Sequence, residues 1–258
     1  MIYFCVPTFD EAPTVGLVLW KIRRVLEDSS REYQLLVGDD ASTDNTAEVL
    51  EGYAKVLPLT VLHAAERQGY AATVESLLKE ALRRSDRHKR DVAILIPADF
   101  TFDPAELPEF LKRLDSGADL VVGEATLVDE TDRWRRTVRA WAPRILGRKV
   151  RVPGVRDVVS SVAAIRLVAI RNAFRDRAGT WLTTDGWAAN AQLMAWAAAG
   201  SRRAETVAVA ERTDRRQRTS RHTPWERFRA LWSARGHLLA PPRIQEAERP
   251  SRPAKEAA

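Results

Sequence analysis

Five short apolar runs punctuate the first 123 residues, and four segments with apolar side chains at helical spacing lie between them. The runs Ile2-Tyr3-Phe4-Cys5-Val6, Gln34-Leu35-Leu36-Val37, Leu59-Thr60-Val61-Leu62, Val92-Ala93-Ile94-Leu95-Ile96 and Asp119-Leu120-Val121-Val122 read as strands. The intervening periodicity predicts helices over 14–27, 46–57, 69–84 and 104–114. Strands that are apolar on both faces and separated by amphipathic helices point to an α/β fold, a mostly parallel sheet covered by helices. In such sheets ligands gather at the carboxyl ends of the strands.

Carboxylates stand at those ends. Asp10 and Glu11 follow the first run, Asp39 and Asp40 the second, and Asp99 and Asp103 the fourth. Brought to one sheet edge, three acidic groups repel each other unless a cation, sugar hydroxyls or a base lies among them. Plainer readings exist for the flanking residues. Ser42 or Asp44 can cap a helix, and Asp103-Pro104 has the form of a cap followed by proline at the first helical position. The shared offset from three strands favours a functional site.

The net charge of +6 conceals a split, because residues 1–120 hold 14 basic and 21 acidic side chains while residues 121–258 hold 27 and 14. Seven of the eight tryptophans fall in the basic half, so the two halves face different partners. With 45% apolar residues the 258-residue chain can bury a sizeable core, which excludes wholesale disorder. No apolar run approaches the roughly 18 residues of a membrane span, and no basic segment precedes the short apolar start. Neither a membrane helix nor a signal peptide is predicted, and the expectation is a cytoplasmic protein able to sit peripherally on the inner face of the cell membrane. Cys5, the one cysteine, excludes an internal disulfide, and its apolar surroundings predict core packing. His63, His88, His222 and His237 show no metal-ligand spacing.

Val6-Pro7-Thr8-Phe9-Asp10-Glu11 and Val37-Gly38-Asp39-Asp40-Ala41-Ser42-Thr43-Asp44 resemble the VPTYNE and VVDDGSTD motifs of nucleotide-sugar glycosyltransferases of the inverting family 2. Gln68-Gly69 with Ala72 is similar to that family's N-x-G segment, and Ile96-Pro97-Ala98-Asp99-Phe100-Thr101-Phe102-Asp103-Pro104 to its MDADLQHDP; Val121-Val122-Gly123 then closes the nucleotide-binding half. Further on, Asp157 to Arg166 resembles the D-x-x-S-G-F-R-x-Y-R stretch of polyprenyl-phosphate (dolichol-phosphate) mannosyltransferases. Gly200 to Val209 and Arg215 to Arg221 resemble that subgroup's G-Y-R-I-x-E-V-P-I and R-x-x-G-x-S-K segments.

The resemblance implies a GT-A fold, a Rossmann-like architecture of nucleotide-diphospho-sugar transferases. It implies one domain over 1–240, with a nucleotide-binding half at 1–123 and an acceptor-side half at 124–240. It also implies that Pro7, Phe9, Glu11 and Asp40 contact base and ribose, that Ala98 and Asp99 lie beside the diphosphate, and that Asp99 binds Mg²⁺ or Mn²⁺. Arg215 and Arg221 would close over the phosphates as cationic donors. Those residue types suit the chemistry, since positive charge develops at the anomeric carbon while a diphosphate departs. Thr183-Thr184-Asp185 resembles a T-E-D motif, which makes Asp185 the candidate general base; its plainer reading is the cap of the apolar helix that follows. A lipid-phosphate acceptor needs no base.

The sequence also departs from the pattern. Pro97 replaces the first acid of the D-x-D motif, Glu124-Ala125 stands in place of a threonine-arginine pair, and Ala163 in place of an arginine. Two readings remain. One is an inverting glycosyltransferase moving a sugar from a nucleoside diphosphate sugar to a polyprenyl phosphate or other membrane-proximal acceptor. The other is a degenerate, non-catalytic GT-A-fold binding or scaffold protein.

Residues 202–235 hold ten arginines and four acids, with Trp225, Phe228, Leu231 and Trp232 spaced to form one apolar face of a short helix. Such a helix suits an anionic membrane surface, or packs on the domain with its arginines in water. No nucleic-acid motif accompanies the charge, so no nucleic acid is expected. The proline-rich, charged tail over 241–258 has no periodicity and is expected to be disordered.

Overall fold

The first strand, β1 (Ile2–Thr8), lies at the heart of a seven-stranded sheet in the order β3-β2-β1-β4-β6-β5-β7. The computed structural model describes residues 1–27, 29–127, 133–212 and 223–241. Arg215, Arg216, Arg218, Arg221, His222 and the tail from residue 242 lie outside the described residues.

The chain runs β1, α1 (Ala12–Leu26), β2 (Tyr33–Asp39), α2 (Thr46–Ala54), β3 (Leu59–His63), α3 (Tyr70–Arg84) and β4 (Val92–Leu95). A short 3-10 turn at Pro104–Glu106 then leads into α4 (Leu107–Asp115), followed by β5 (Leu120–Leu127), α5 (Arg133–Leu146), β6 (Ala163–Arg166), α6 (Leu167–Phe174), α7 (Gly186–Ala199), β7 (Ala204–Glu211) and α8 (Pro224–Ala234). All five strands expected from apolar runs are present. The second helix stops at Ala54 rather than 57, and the fourth begins only at Leu107 because Pro104–Glu106 turns more tightly. Strands from the acidic and basic halves join the same sheet. β6 lies antiparallel between β4 and β5, so the other six strands share one direction.

Alternate side chains of β1 enter opposite cores, as a period of two requires. Tyr3 and Cys5 pack with Leu36, Val74 and Leu77 on one face, while Phe4 and Val6 pack with Val15, Leu19 and Ile22 of α1 on the other. Burial pushes the Cys5 thiol up to about 12, so it is an inert core group. Gly38 lets α3 approach β2, since a Cβ there would stand 2.5 Å from the Thr73 methyl. The single apolar face expected for α8 is divided: Leu231 is buried in the core, whereas Trp225 and Trp232 are exposed. Among the described residues no helix is long and apolar enough to cross a membrane.

Candidate functional site

Strand register decides which side chains meet. β1 pairs with β2 from Ile2–Tyr33 to Thr8–Asp39, and with β4 from Ile2–Val92 to Cys5–Leu95. Just beyond, the Asp40 amide donates to the Thr8 carbonyl and the Ile96 amide to the Cys5 carbonyl, each at 3.0 Å. The chain therefore leaves all three strands at one edge. A cavity of about 270 Å³ opens there, lined by Pro7, Phe9, Glu11, Asp40, Pro97, Ala98, Asp99 and Asp185. Pro7, Phe9, Glu11, Asp40, Ala98, Asp99 and Asp185, all named from the resemblance, are on its wall, whereas Asp10, Asp39 and Asp103, which the sequence sets beside them, do not line it.

The three loops at this edge are strained in the same way. Asp10, Ala41 and Phe100 are the non-glycine residues with positive φ among those described, at 48°, 56° and 58°. Each adjoins an acid of the cavity: Glu11, Asp40 or Asp99. Such backbone costs about 1–3 kcal/mol per residue and persists where the surroundings hold it. Here local hydrogen bonds do so. Asp10 Oδ1 accepts from the Thr43 amide at 2.7 Å, the Asp10 amide donates to Ser42 Oγ at 2.9 Å, and Asp99 Oδ1 accepts from Thr101 Oγ1 at 2.6 Å. Two of the acids prove to be caps. Asp44 accepts from the amides of Thr46 and Ala12, at the starts of α2 and α1, and Asp103 accepts from the Ala105 amide and pairs with Lys21 at 2.7 Å.

Asp40 is fixed by the next loop. Its Oδ1 accepts from the Gln68 amide at 2.7 Å and its Oδ2 from the Gly69 amide at 3.0 Å. The Arg67 guanidinium sits 4.0 Å from the centre of the Phe9 ring, and its Nε 4.0 Å from Asp40 Oδ2. Gly69 has φ of 97°, and a Cβ on it would come within 3.2 Å of Asp185 Oδ2. That carboxylate does not cap α7, which it immediately precedes; Asp185 Oδ1 accepts instead from the Ala71 amide in the first turn of α3 at 2.8 Å. With φ of −121° and ψ of 167°, Asp185 is extended, and its side chain reaches across to the neighbouring helix.

The basic half supplies the opposite wall, with Ser161, Trp187, Asn190, Glu211 and Arg227. The Tyr70 hydroxyl donates to Asn190 Oδ1 at 2.8 Å. Burial raises the pKa of that hydroxyl well above its ordinary value; the Asn190 hydrogen bond opposes this and the charges of Asp185 and Asp99 add to it. Glu211 ends β7, which runs in the same direction as β1 and so reaches the same edge. Arg139 of α5 is buried between Asp157 and Glu211, with Nη2 2.7 Å from Asp157 Oδ2 and Nη1 hydrogen-bonded to Glu211. Burial alone would lower the Arg139 pKa, and the two carboxylates reverse that and raise it. This arginine is already neutralised by protein. Arg227 lies over the Trp187 ring, 4.7 Å from its centre.

Sequence reasoning missed Arg67, Tyr70, Trp187, Asn190, Glu211 and Arg227. Arg67 adjoins the Gln68-Gly69 segment, the one local sign that could have drawn attention to it. Among the described residues no three His, Cys, Asp or Glu side chains are grouped to hold a metal ion. Asp99 has one oxygen already bonded to the Thr101 hydroxyl. That suits an ion such as Mg²⁺, which keeps several waters and takes one or two carboxylates together with substrate phosphates.

A family model described as glycosyl transferase family 2 matches residues 3–174. Polyprenol monophosphomannose synthase of Mycolicibacterium smegmatis is 26% identical over 166 residues, covering 62% of this chain and 60% of that protein. Dolichol-phosphate mannosyltransferase of Pyrococcus furiosus is 23% identical over 162 residues, covering 61% of this chain and 43% of that protein. The chain thus spans less than two thirds of the length of these curated relatives. Among solved structures, glucosyl-3-phosphoglycerate synthase from Mycobacterium tuberculosis, in complex with Mn²⁺, uridine-diphosphate-glucose and phosphoglyceric acid, superposes with a TM-score of 0.61. It shares 16% identity over 92% of this chain and 80% of that one, a likeness of fold.

Proposed function

The chain belongs to glycosyl transferase family 2, and from that premise we propose that it transfers a sugar, with inversion, from a nucleoside diphosphate sugar to a polyprenyl phosphate. Its sheet has the GT-A architecture of the solved relatives. The observation that carries the reading is the convergence of Phe9, Glu11, Asp40 and Asp99 on one cavity at the carboxyl edge of the sheet. Phe9 and Asp40 offer a ring and a carboxylate to the nucleoside, in the positions expected from the motifs. Asp99 is the residue that would hold Mg²⁺ or Mn²⁺, whose role is to offset charge on the departing diphosphate. Arg67 and Arg227 bring cationic side chains to the same cavity and, with Arg215 and Arg221 of the basic segment, are this chain's own means of stabilising that charge.

In the proposed step a phosphate oxygen of the lipid attacks the anomeric carbon from the face opposite the diphosphate. The new carbon–oxygen bond forms as the bond to the diphosphate breaks, and the nucleoside diphosphate leaves. The attacking oxygen is already anionic, so no proton need be removed. The names of the relatives support the acceptor class, and peripheral attachment to a membrane accords with such an acceptor.

Calorimetry of uridine and guanosine diphosphates with Mg²⁺ or Mn²⁺ tests the reading. Saturable binding of one nucleotide is expected, weakened at least tenfold by Asp40→Ala and by Asp99→Ala; absence of binding to either nucleotide overturns it. Pro97 in place of an acid favours one competitor, a protein that binds nucleotide without turnover. Slow hydrolysis of a nucleotide sugar in the absence of acceptor decides between them.

A further inference from the structure

Helices α5 and α8 pack against each other and expose large aromatic side chains to water. Trp134 and Trp141, seven residues apart on α5, are 52% and 56% exposed, and Trp225 and Trp232, seven apart on α8, are each 57% exposed. Two helical turns separate each pair, so each pair shares one face. On α8 the rings form a ladder: Trp225 stacks on Phe228 with centroids 5.4 Å apart, and Phe228 on Trp232 at 6.2 Å. An apolar groove of about 390 Å³ runs along that ladder. Single exposed apolar residues are ordinary, but four exposed tryptophans on two adjoining helices are not.

Along the two helices themselves arginines outnumber acids. The described part of α5 carries no acid, and the one acid of α8, Glu226, is engaged in the helix's own capping box with Thr223. Arg136, Arg144, Arg229 and Arg235 are exposed on or beside the two helices, and two of them lie against exposed rings, Arg144 near Trp141 at 5.8 Å and Arg235 near Trp232 at 5.2 Å. Tryptophan and arginine together suit the boundary between lipid headgroups and acyl chains, where the ring buries its body and the cation meets anionic phosphate. A second copy of the chain would present the same cations and be repelled. The location fits as well, because α8 also carries Arg227 on the cavity wall.

We infer that the α5–α8 face is a docking surface for an anionic lipid bilayer, bringing the cavity to the membrane plane. The inference deepens the polyprenyl-phosphate reading and rests on it for its purpose.

Flotation of the full chain with vesicles of phosphatidylcholine containing phosphatidylglycerol, against phosphatidylcholine alone, provides the test. Retention on the anionic vesicles at low salt is expected, falling at least tenfold with Trp225→Ala/Trp232→Ala, and likewise with Arg136→Glu/Arg229→Glu. Retained binding, by the same samples, of whichever of uridine or guanosine diphosphate the parent binds would show that the variants are folded. No retention by anionic vesicles overturns the inference, as does retention that neither pair of substitutions changes. A dimer in solution that the tryptophan substitutions dissolve would assign the face to a second copy and equally overturn it. Vesicle retention without nucleotide binding would overturn the proposed activity and leave the surface standing.

Discussion

Asp185 accepts a hydrogen bond from the Ala71 amide at 2.8 Å, so a carboxylate from the loop before α7 caps α3 from across the cavity. That makes it first a positioning group. Asp185→Asn keeps an acceptor oxygen for the amide, and with a phosphate acceptor its turnover is expected to stay within a few-fold of the parent. Asp185→Ala removes the cap and should lower stability by about 1 kcal/mol while raising the KM for the donor. Steady-state kinetics on both variants checks this; a hundredfold loss in Asp185→Asn would instead identify proton transfer.

Arg139 sits between Asp157 and Glu211 with all three buried. Removing the cation leaves two carboxylates facing each other out of water, and breaking such an arrangement costs about 3–5 kcal/mol. Arg139→Met is therefore expected to lower the midpoint of urea denaturation sharply at pH 7. The loss should shrink in the double variant that also carries Glu211→Gln, because one of the stranded charges is gone.

Ala41 holds φ of 56° beside Asp40. A left-handed non-glycine residue costs roughly 1–2 kcal/mol, and glycine returns roughly 0.5–1 kcal/mol of that as extra freedom in the unfolded chain. Ala41→Gly is expected to raise stability by about 0.5–1 kcal/mol in a denaturant titration. A fall in stability would mean that the turn is not strained.

Glu80 offers a pH-dependent check far from the cavity. The Arg83 guanidinium, hydrogen-bonded at 2.7 Å, draws its carboxyl down to about 2 against the opposing effect of burial, with Arg84 adding to the pull. A depressed carboxyl contributes stability above its unfolded value and loses it as pH falls through the folded one. Glu80→Gln should thus be less stable than the parent at pH 7. The gap should narrow between about pH 4.5 and pH 2, as thermal melts in that window would show.

The acidic half was legible because strands covered on both faces carry unbroken apolar runs, and because Pro7, Asp40 and Asp99 stand within three residues of where those runs end. The two strands without such a run were not. β6 is only Ala163-Ala164-Ile165-Arg166, and β7 mixes Glu205 and Thr206 with small apolar residues. Side chains that reach the cavity through packing left no local mark. Arg139 is the same residue type as the exposed Arg136 and Arg144 of its helix, and only its place beside the buried Val138 and one turn before the buried Ala142 sets it apart. The caps at Asp44 and Asp103 carried their usual short-range signature, and the cap that Asp185 gives α3 spans 114 residues and carried none.

The position of β6 also dictates an order of assembly. Residues 1–95 contain the whole of the β3-β2-β1-β4 block, which can pair as the chain emerges during synthesis. β5 is made next but does not pair with β4; it waits for β6, which pairs with both. Until residue 166 has been made, the open side of β4 presents unpaired backbone, the kind of edge on which chains stick to one another. A nascent chain stalled between β5 and β6 is therefore the species most exposed to misassembly, although its acidic half is already in place.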